Sequence, residues 1–89
     1  MKNIVIYTQD LCGYCEAAKN EFTARGWAYT SHNIKHEDNK NALVELLPEV
    51  KTVPQIWIEN VHIGGYDDLI RWIASNNSTR EELFLTRMV

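Results

Sequence analysis

The chain opens on an apolar run, Ile4-Val5-Ile6, continued by Tyr7-Thr8. A short run without alternation predicts a central strand over residues 3–8, covered on both faces. After it the period changes. Tyr14, Ala18 and Phe22 fall on one stripe of a helix read from Glu16 to Arg25, with Ala17 and Ala24 small beside it. Glu21 and Arg25 stand four apart in the favourable order, and Gly26 supplies a C-terminal cap. Trp27 to Ile34 alternates weakly, yet its aromatic and β-branched content predicts a second strand. A strand, helix and strand of these lengths imply a parallel pair joined by a crossover helix.

Asp38 or Asn39 is expected to cap a second helix that turns Leu43, Leu46 and Leu47 to the core, and Pro48 ends it. Thr52-Val53-Pro54 leads into a third strand, residues 55–59, whose entrance tolerates proline because the missing N–H falls outside the ladder. Val61-His62-Ile63 reads as a fourth strand, with Asn60 between the two as the turn of an antiparallel hairpin. Gly64-Gly65 breaks the pattern. Asp67-Asp68 then opens a third helix with Leu69, Ile70 and Ile73 inward. Ser78-Thr79 ahead of Glu81-Glu82 resembles a capping box for a last short helix carrying Leu83, Leu85 and Met88. The order is β-α-β-α-β-β-α plus one helix, an α/β arrangement expected to form one domain over residues 1–89.

Composition narrows the function more than the fold. Apolar residues make up 45% of the 89 and charged ones 24%, which is ordinary globular usage. The net charge of -3 is mild and no basic stripe is present, so nucleic acid is not an expected partner. No apolar run approaches a membrane span, and Met1-Lys2-Asn3 runs straight into the first strand, so neither membrane nor secretory leader is expected. The expectation is a cytoplasmic protein, in a compartment where disulfides tend to be transient and catalytic.

That matters because the two cysteines of the chain are Cys12 and Cys15, in Cys12-Gly13-Tyr14-Cys15. A C-x-x-C closing a strand-to-helix turn is the pattern of a redox dithiol. One helical turn brings both sulfurs within bonding range. The helix start sets a partial positive charge beside the first sulfur and less beside the second. Cysteines so placed have pKa values of roughly 3.5–7.5, against about 8.5 for a free thiol. Cys12 is therefore the expected nucleophile and Cys15 the resolving thiol. Zinc is the competing reading, since Cys12, Cys15, His32 and His36 give C-x2-C-x16-H-x3-H. The central gap is longer than the usual pattern, and the two histidines do not share a helix face. His32, His36 and His62 otherwise read as surface or strand residues without a partner, and Trp27, Trp57 and Trp72 as core or half-buried packing.

Three separated motifs now stand in order: Tyr7-Thr8 leading to Cys12-Gly13-Tyr14-Cys15, then Thr52-Val53-Pro54-Gln55, then Gly64-Gly65-Tyr66-Asp67-Asp68. With them the chain resembles a glutaredoxin of the dithiol type over roughly residues 2–75. The resemblance implies a thioredoxin-like fold, a four-stranded mixed sheet flanked by helices, in a protein that is a monomer. It also implies glutathione as co-substrate for reducing disulfide-containing or glutathionylated proteins. On this pattern Pro54 is a cis proline beside the cysteines, and the backbone of Val53, next to Thr52, pairs with the cysteinyl part of glutathione. The alternative reading of Pro54 is a residue that merely starts a strand. Gly65 and the N–H groups of Tyr66 and Asp67 would take the γ-glutamyl carboxylate, with Asp67 or Asp68 facing its ammonium group. For Asp68 a plain helix-dipole role is an equal alternative. Tyr14 would flank the tripeptide, or simply pack at the surface.

The sequence departs from the family pattern at Gly13, where many relatives carry proline, and at Gln9, where many carry a lysine for glutathione's glycyl carboxylate. Lys51 is a candidate replacement for that lysine. Leu11 stands where thioredoxin has tryptophan. Two other functions remain open from the sequence: a dedicated electron donor, for example to ribonucleotide reductase, and a glutathione-ligated iron–sulfur cluster carrier.

Overall fold

Strand β1, Ile4–Thr8, is central: it pairs in parallel with β2, Thr30–Asn33, and antiparallel with β3, Gln55–Ile58. The computed structural model describes residues 3–75. Strand β4, Val61–Gly64, pairs antiparallel with β3, so the mixed sheet runs β2-β1-β3-β4. Helix α1 is Gly13–Ala24, α2 is Glu37–Leu46, and α3 occupies residues 66–75. This is the thioredoxin-like α/β arrangement expected from the sequence. The last helix, expected around Ser78 to Met88, lies outside the described residues.

The core forms where strand alternation meets helix period. Ile4 and Ile6 of β1 and Ile56 and Ile58 of β3 join Ala18 and Phe22 of α1 and Leu69 and Ile73 of α3 in one cluster. Trp27, Tyr29, Ile63, Tyr66 and Trp72 pack around it. The intervening side chains of β1 and β3 make a second, aromatic layer: Tyr7 meets Trp57 edge-on at 5.6 Å between ring centroids and His32 at 5.1 Å.

Several local expectations shift by a few residues. α1 begins at Gly13 rather than Glu16, so Cys12 caps it and Cys15 lies in its first turn. Its buried stripe is Cys15, Ala18 and Phe22, which turns Tyr14 outward. β2 is shorter than residues 27–34. Trp27 and Tyr29 instead drop onto the core cluster, and the Trp27 N–H bonds back to the Phe22 carbonyl at 2.9 Å. The cap of α2 is His36, not Asp38 or Asn39. The Asn39 amide donates instead to the Asn33 carbonyl at 2.9 Å and ties α2 to the end of β2. Leu43 is buried, but Leu46 faces water and Leu47 is half-buried, because α2 rests against the edge strand and covers a narrow face.

The turns follow conformational preference closely. Gly26 takes φ 71° just past α1, as a C-terminal glycine does. Glu59 and Asn60 both have positive φ and close the β3–β4 hairpin between Ile58 and Val61, the mirror-image turn that matches strand twist. The β3–β4 register then shifts by one between Trp57↔His62 and Ile56↔Gly64. Gly64, at φ 120°, leaves the sheet in a conformation open to glycine, and a Cβ there would collide with the Asp68 carboxylate. A Cβ on Gly65 would meet the Pro54 carbonyl at 3.5 Å, an ordinary contact. Gly64→Ala is therefore expected to destabilise by about 1–3 kcal/mol or more, and Gly65→Ala far less. Urea unfolding of both variants checks the difference, and equal losses would contradict it.

Candidate functional site

All three motifs leave the sheet at one end, and the strand register makes them do so. Tyr7 lies opposite Gln55, Thr8 opposite Asn33, and Ile56 opposite Gly64. The loop to the cysteines, the Thr52–Pro54 turn and the Gly64-Gly65 break therefore emerge side by side.

Cys12 and Cys15 form a disulfide with their Cα atoms 5.2 Å apart. Cys12 is the N-cap of α1, and its Sγ accepts the Cys15 N–H at 3.1 Å. The helix end thus directs a backbone donor at the first sulfur, an arrangement that favours negative charge on it once the bond is reduced. Cys15 is fully buried, whereas Cys12 is partly exposed. The two sulfurs differ in access as well as in field. The preceding loop is pinned at Asp10, which accepts the Asn33 amide at 2.8 Å and pairs with Lys35 at 3.4 Å. Those two partners, the Asn33 hydrogen bond first, lower the Asp10 pKa.

The Val53–Pro54 peptide is cis, as expected. The turn before it is braced from inside the sheet by Gln55, a buried side chain. Its amide donates to the Thr52 carbonyl at 3.0 Å and to the Thr52 hydroxyl at 3.3 Å, while its Oε1 meets His62 Nε2 at 2.9 Å. An amide oxygen only accepts, so His62 carries its hydrogen on Nε2. His62 and His32 therefore have partners that the sequence did not reveal. Among the described residues, no group of three or more His, Cys, Asp and Glu side chains gathers to hold a metal.

The start of α3 divides two adjacent aspartates. Asp68 reaches back to accept the Gly65 N–H at 3.1 Å and takes Arg71 at 2.6 Å, so it serves as a cap. The Gly65 hydrogen bond, then Arg71, lowers its pKa. Asp67 faces outward instead. Tyr66 lies along α1, stacked on Tyr14 at 5.9 Å and donating its hydroxyl to Glu21 at 3.3 Å. Burial first, and then the Glu21 charge, raise the Tyr66 pKa. Glu21 also pairs with Arg25 at 2.6 Å.

Between these elements runs a cleft of about 180 Å³ lined by Tyr14, Thr52, Val53, Pro54, Gly65, Tyr66 and Asp67. It brings together the seven residues that the motifs offered for a ligand around the cysteines, while Asp68, the alternative to Asp67, lies outside it. A larger groove, about 530 Å³, adjoins it through Thr52 and Val53. Gln9 and Lys51 both line this groove, together with Lys40 and an apolar floor that includes Ile34, Leu43 and Val50. Lys40 escaped the sequence reading because its neighbours there come from three other segments.

The sequence matches the glutaredoxin family model over residues 4–63. The chain belongs to the glutaredoxin family. Glutaredoxin 3 of Escherichia coli is 38% identical over 69 residues, covering 78% of this chain and 83% of that one. Glutaredoxin 1 of Rickettsia typhi is 35% identical over 71 residues, 78% of this chain and 68% of that one. Among solved structures, glutaredoxin 1 from Francisella tularensis, complexed with cacodylate, superposes with a TM-score of 0.72 at 27% identity, over 89% of this chain and 99% of that one. A buckwheat glutaredoxin–glutathione complex superposes at 0.69 and 26% identity, over 86% and 71%. This glutaredoxin is a thiol–disulfide oxidoreductase with Cys12–Cys15 as its redox pair.

The cap at Asp68 carries a pH signature. Its folded pKa lies below the unfolded value of about 3.9, so its contribution is complete above that value and is lost as pH falls through the folded pKa. The stability gap between wild type and Asp68→Asn should accordingly be widest at neutral pH and shrink below pH 4. Urea unfolding at pH 7 and pH 3 measures it, and a gap independent of pH would overturn the assignment.

Proposed function

We propose that this glutaredoxin uses glutathione to reduce glutathionylated proteins and protein disulfides. The observation that carries the reading is the cleft itself: Tyr14 of the cysteine helix forms one wall and the start of α3 another, with Val53 and Pro54 between them. An extended peptide laid along Val53 would pair with its backbone by strand addition. The helix start at Gly65-Tyr66-Asp67 suits an α-carboxylate, and Asp67, which the cap leaves to Asp68, suits the neighbouring ammonium group. The adjoining groove, with Lys51 and Lys40 near Gln9, offers cations for the second carboxylate. The buckwheat relative solved with glutathione supports the same ligand.

The reaction runs through mixed disulfides. With a glutathionylated protein, the Cys12 thiolate attacks the glutathione sulfur, and the protein thiolate leaves and takes up a proton. A second glutathione thiolate then attacks the mixed disulfide, releasing glutathione disulfide and restoring Cys12. With an internal protein disulfide, Cys12 bonds to one protein sulfur and the other leaves. Cys15 then displaces the bound protein thiol and closes Cys12–Cys15, which two glutathiones reopen. We place this chemistry in the cytosol and in a monomer. Among the described residues no helix is long and apolar enough to cross a membrane.

The deciding assay is turnover of a glutathionylated peptide with glutathione, NADPH and glutathione reductase. Cys12→Ser is expected to abolish it. Cys15→Ser is expected to retain this route while losing reduction of internal protein disulfides. A folded, reduced wild type that gives no turnover would refute the glutathione dependence, and full protein-disulfide activity in Cys15→Ser would refute the assigned roles.

A further inference from the structure

Leu11 is the least expected residue on the surface. It is fully exposed, at 104% of a free residue, and its φ is 54°. Single exposed apolar residues are common and need no account. A left-handed leucine is another matter, because a branched side chain is disfavoured there. The other described non-glycine residues with positive φ, Glu59 and Asn60, form the β3–β4 turn, whose geometry requires that conformation. Leu11 has no such hairpin to explain it.

Nor is it the tip of a slack loop. On one side Asp10 is held by the Asn33 amide and by Lys35. On the other, Cys12 is fixed as the α1 cap through its bond from the Cys15 N–H. The chain holds an apolar side chain out into water between two anchored residues.

Its neighbour explains what it would meet. A disulfide holds its two Cα atoms roughly 4.4–6.8 Å apart, and adjacent Cα atoms in a chain are about 3.8 Å apart. Any protein whose cysteine bonds to Cys12 must therefore bring its backbone within about 11 Å of the Leu11 Cα, which a leucine and one partner side chain span. Tyr14, also exposed, stands on the far side of Cys12 in sequence.

We propose that Leu11 is a docking residue for protein substrates: it packs against an apolar side chain flanking the disulfide cysteine of a protein partner during the mixed-disulfide step. The proposal rests on the thiol–disulfide chemistry of Cys12 and not on glutathione. A small disulfide has no flanking side chain, so Leu11 discriminates between substrate classes and leaves bond exchange itself untouched.

The test is single-turnover oxidation of the reduced protein without glutathione, by insulin and by hydroxyethyl disulfide. In each case the Cys12 thiolate attacks a substrate sulfur, Cys15 completes the exchange, and substrate thiols and the Cys12–Cys15 disulfide result. Leu11→Asn keeps a residue that tolerates positive φ and removes the apolar surface. It is expected to lower the insulin rate constant roughly tenfold, as loss of one buried leucine contact would, and to leave the hydroxyethyl disulfide rate within about twofold. Leu11→Met should retain both rates. The melting temperature of Leu11→Asn should equal or exceed that of the wild type, which excludes misfolding as the cause. Equal rates in Leu11→Asn and wild type toward insulin, or parallel losses on both substrates, would overturn the proposal. Because no glutathione is present, failure of glutathione dependence would leave this result standing.

Discussion

The register of β1 against β3 is the constraint on which the site depends. β1 is hydrogen-bonded on both flanks, and its alternation sends Ile4 and Ile6 into the core beside Ile56 and Ile58. A slip of one residue would send those side chains to the opposite face. It would also carry the cysteine loop about 3.3 Å along the sheet, away from the turn at Val53 and Pro54. Phe22 and Ala18 of α1 and Leu69 and Ile73 of α3 pack on the correct register alone. The hydrophobic core, which contains none of the polar residues of the cleft, sets the distance between the redox pair and the surface that faces it.

How much of this was legible depended on how local the cause was. Cys12 and Cys15, Pro54 and Gly64 are backbone features written into a few adjacent residues, and the motifs located them. The β3–β4 turn was placed at Asn60, but Glu59, read as the end of the strand, is its first residue. Residues whose setting depends on a distant partner were not legible. Tyr14 was placed on the helix stripe because its spacing to Ala18 and Phe22 fits, but Cys15 fits too, and only one of two neighbours can point inward. Tyr66 finds Glu21 across 45 positions of sequence, and no periodicity encodes that pairing. Gln55 could be read as a strand residue. Its service to Thr52 and His62 needed the β3–β4 pairing first.

The adjacent aspartates show the same limit at higher resolution. Asp67 and Asp68 are chemically identical; the sequence offered either one to the ammonium group and held a helix-dipole role open for Asp68, without deciding between them. One helical step, about 100° of rotation, separates them: Asp68 curls back to the Gly65 N–H, while Asp67 lines the cleft. The family match ends at Ile63, before this segment. The segment after it, Gly64-Gly65-Tyr66-Asp67-Asp68, belongs to the third of the sequence motifs, and the geometry at the start of α3 tells its two aspartates apart.

The unequal access of the two sulfurs has a consequence beyond the order of exchange. Peroxides and alkylating agents reach thiols through solvent, and over-oxidation to sulfinic or sulfonic acid follows exposure and thiolate character. In the observed packing Cys15 is sealed at 0% exposure against the core while Cys12 meets water. Chemical injury therefore concentrates on the sulfur that also has a neighbour poised to rescue it. A Cys12 sulfenic acid formed at the surface lies one helical turn from a sheltered thiol able to condense with it, expel water and return the site to its ordinary disulfide.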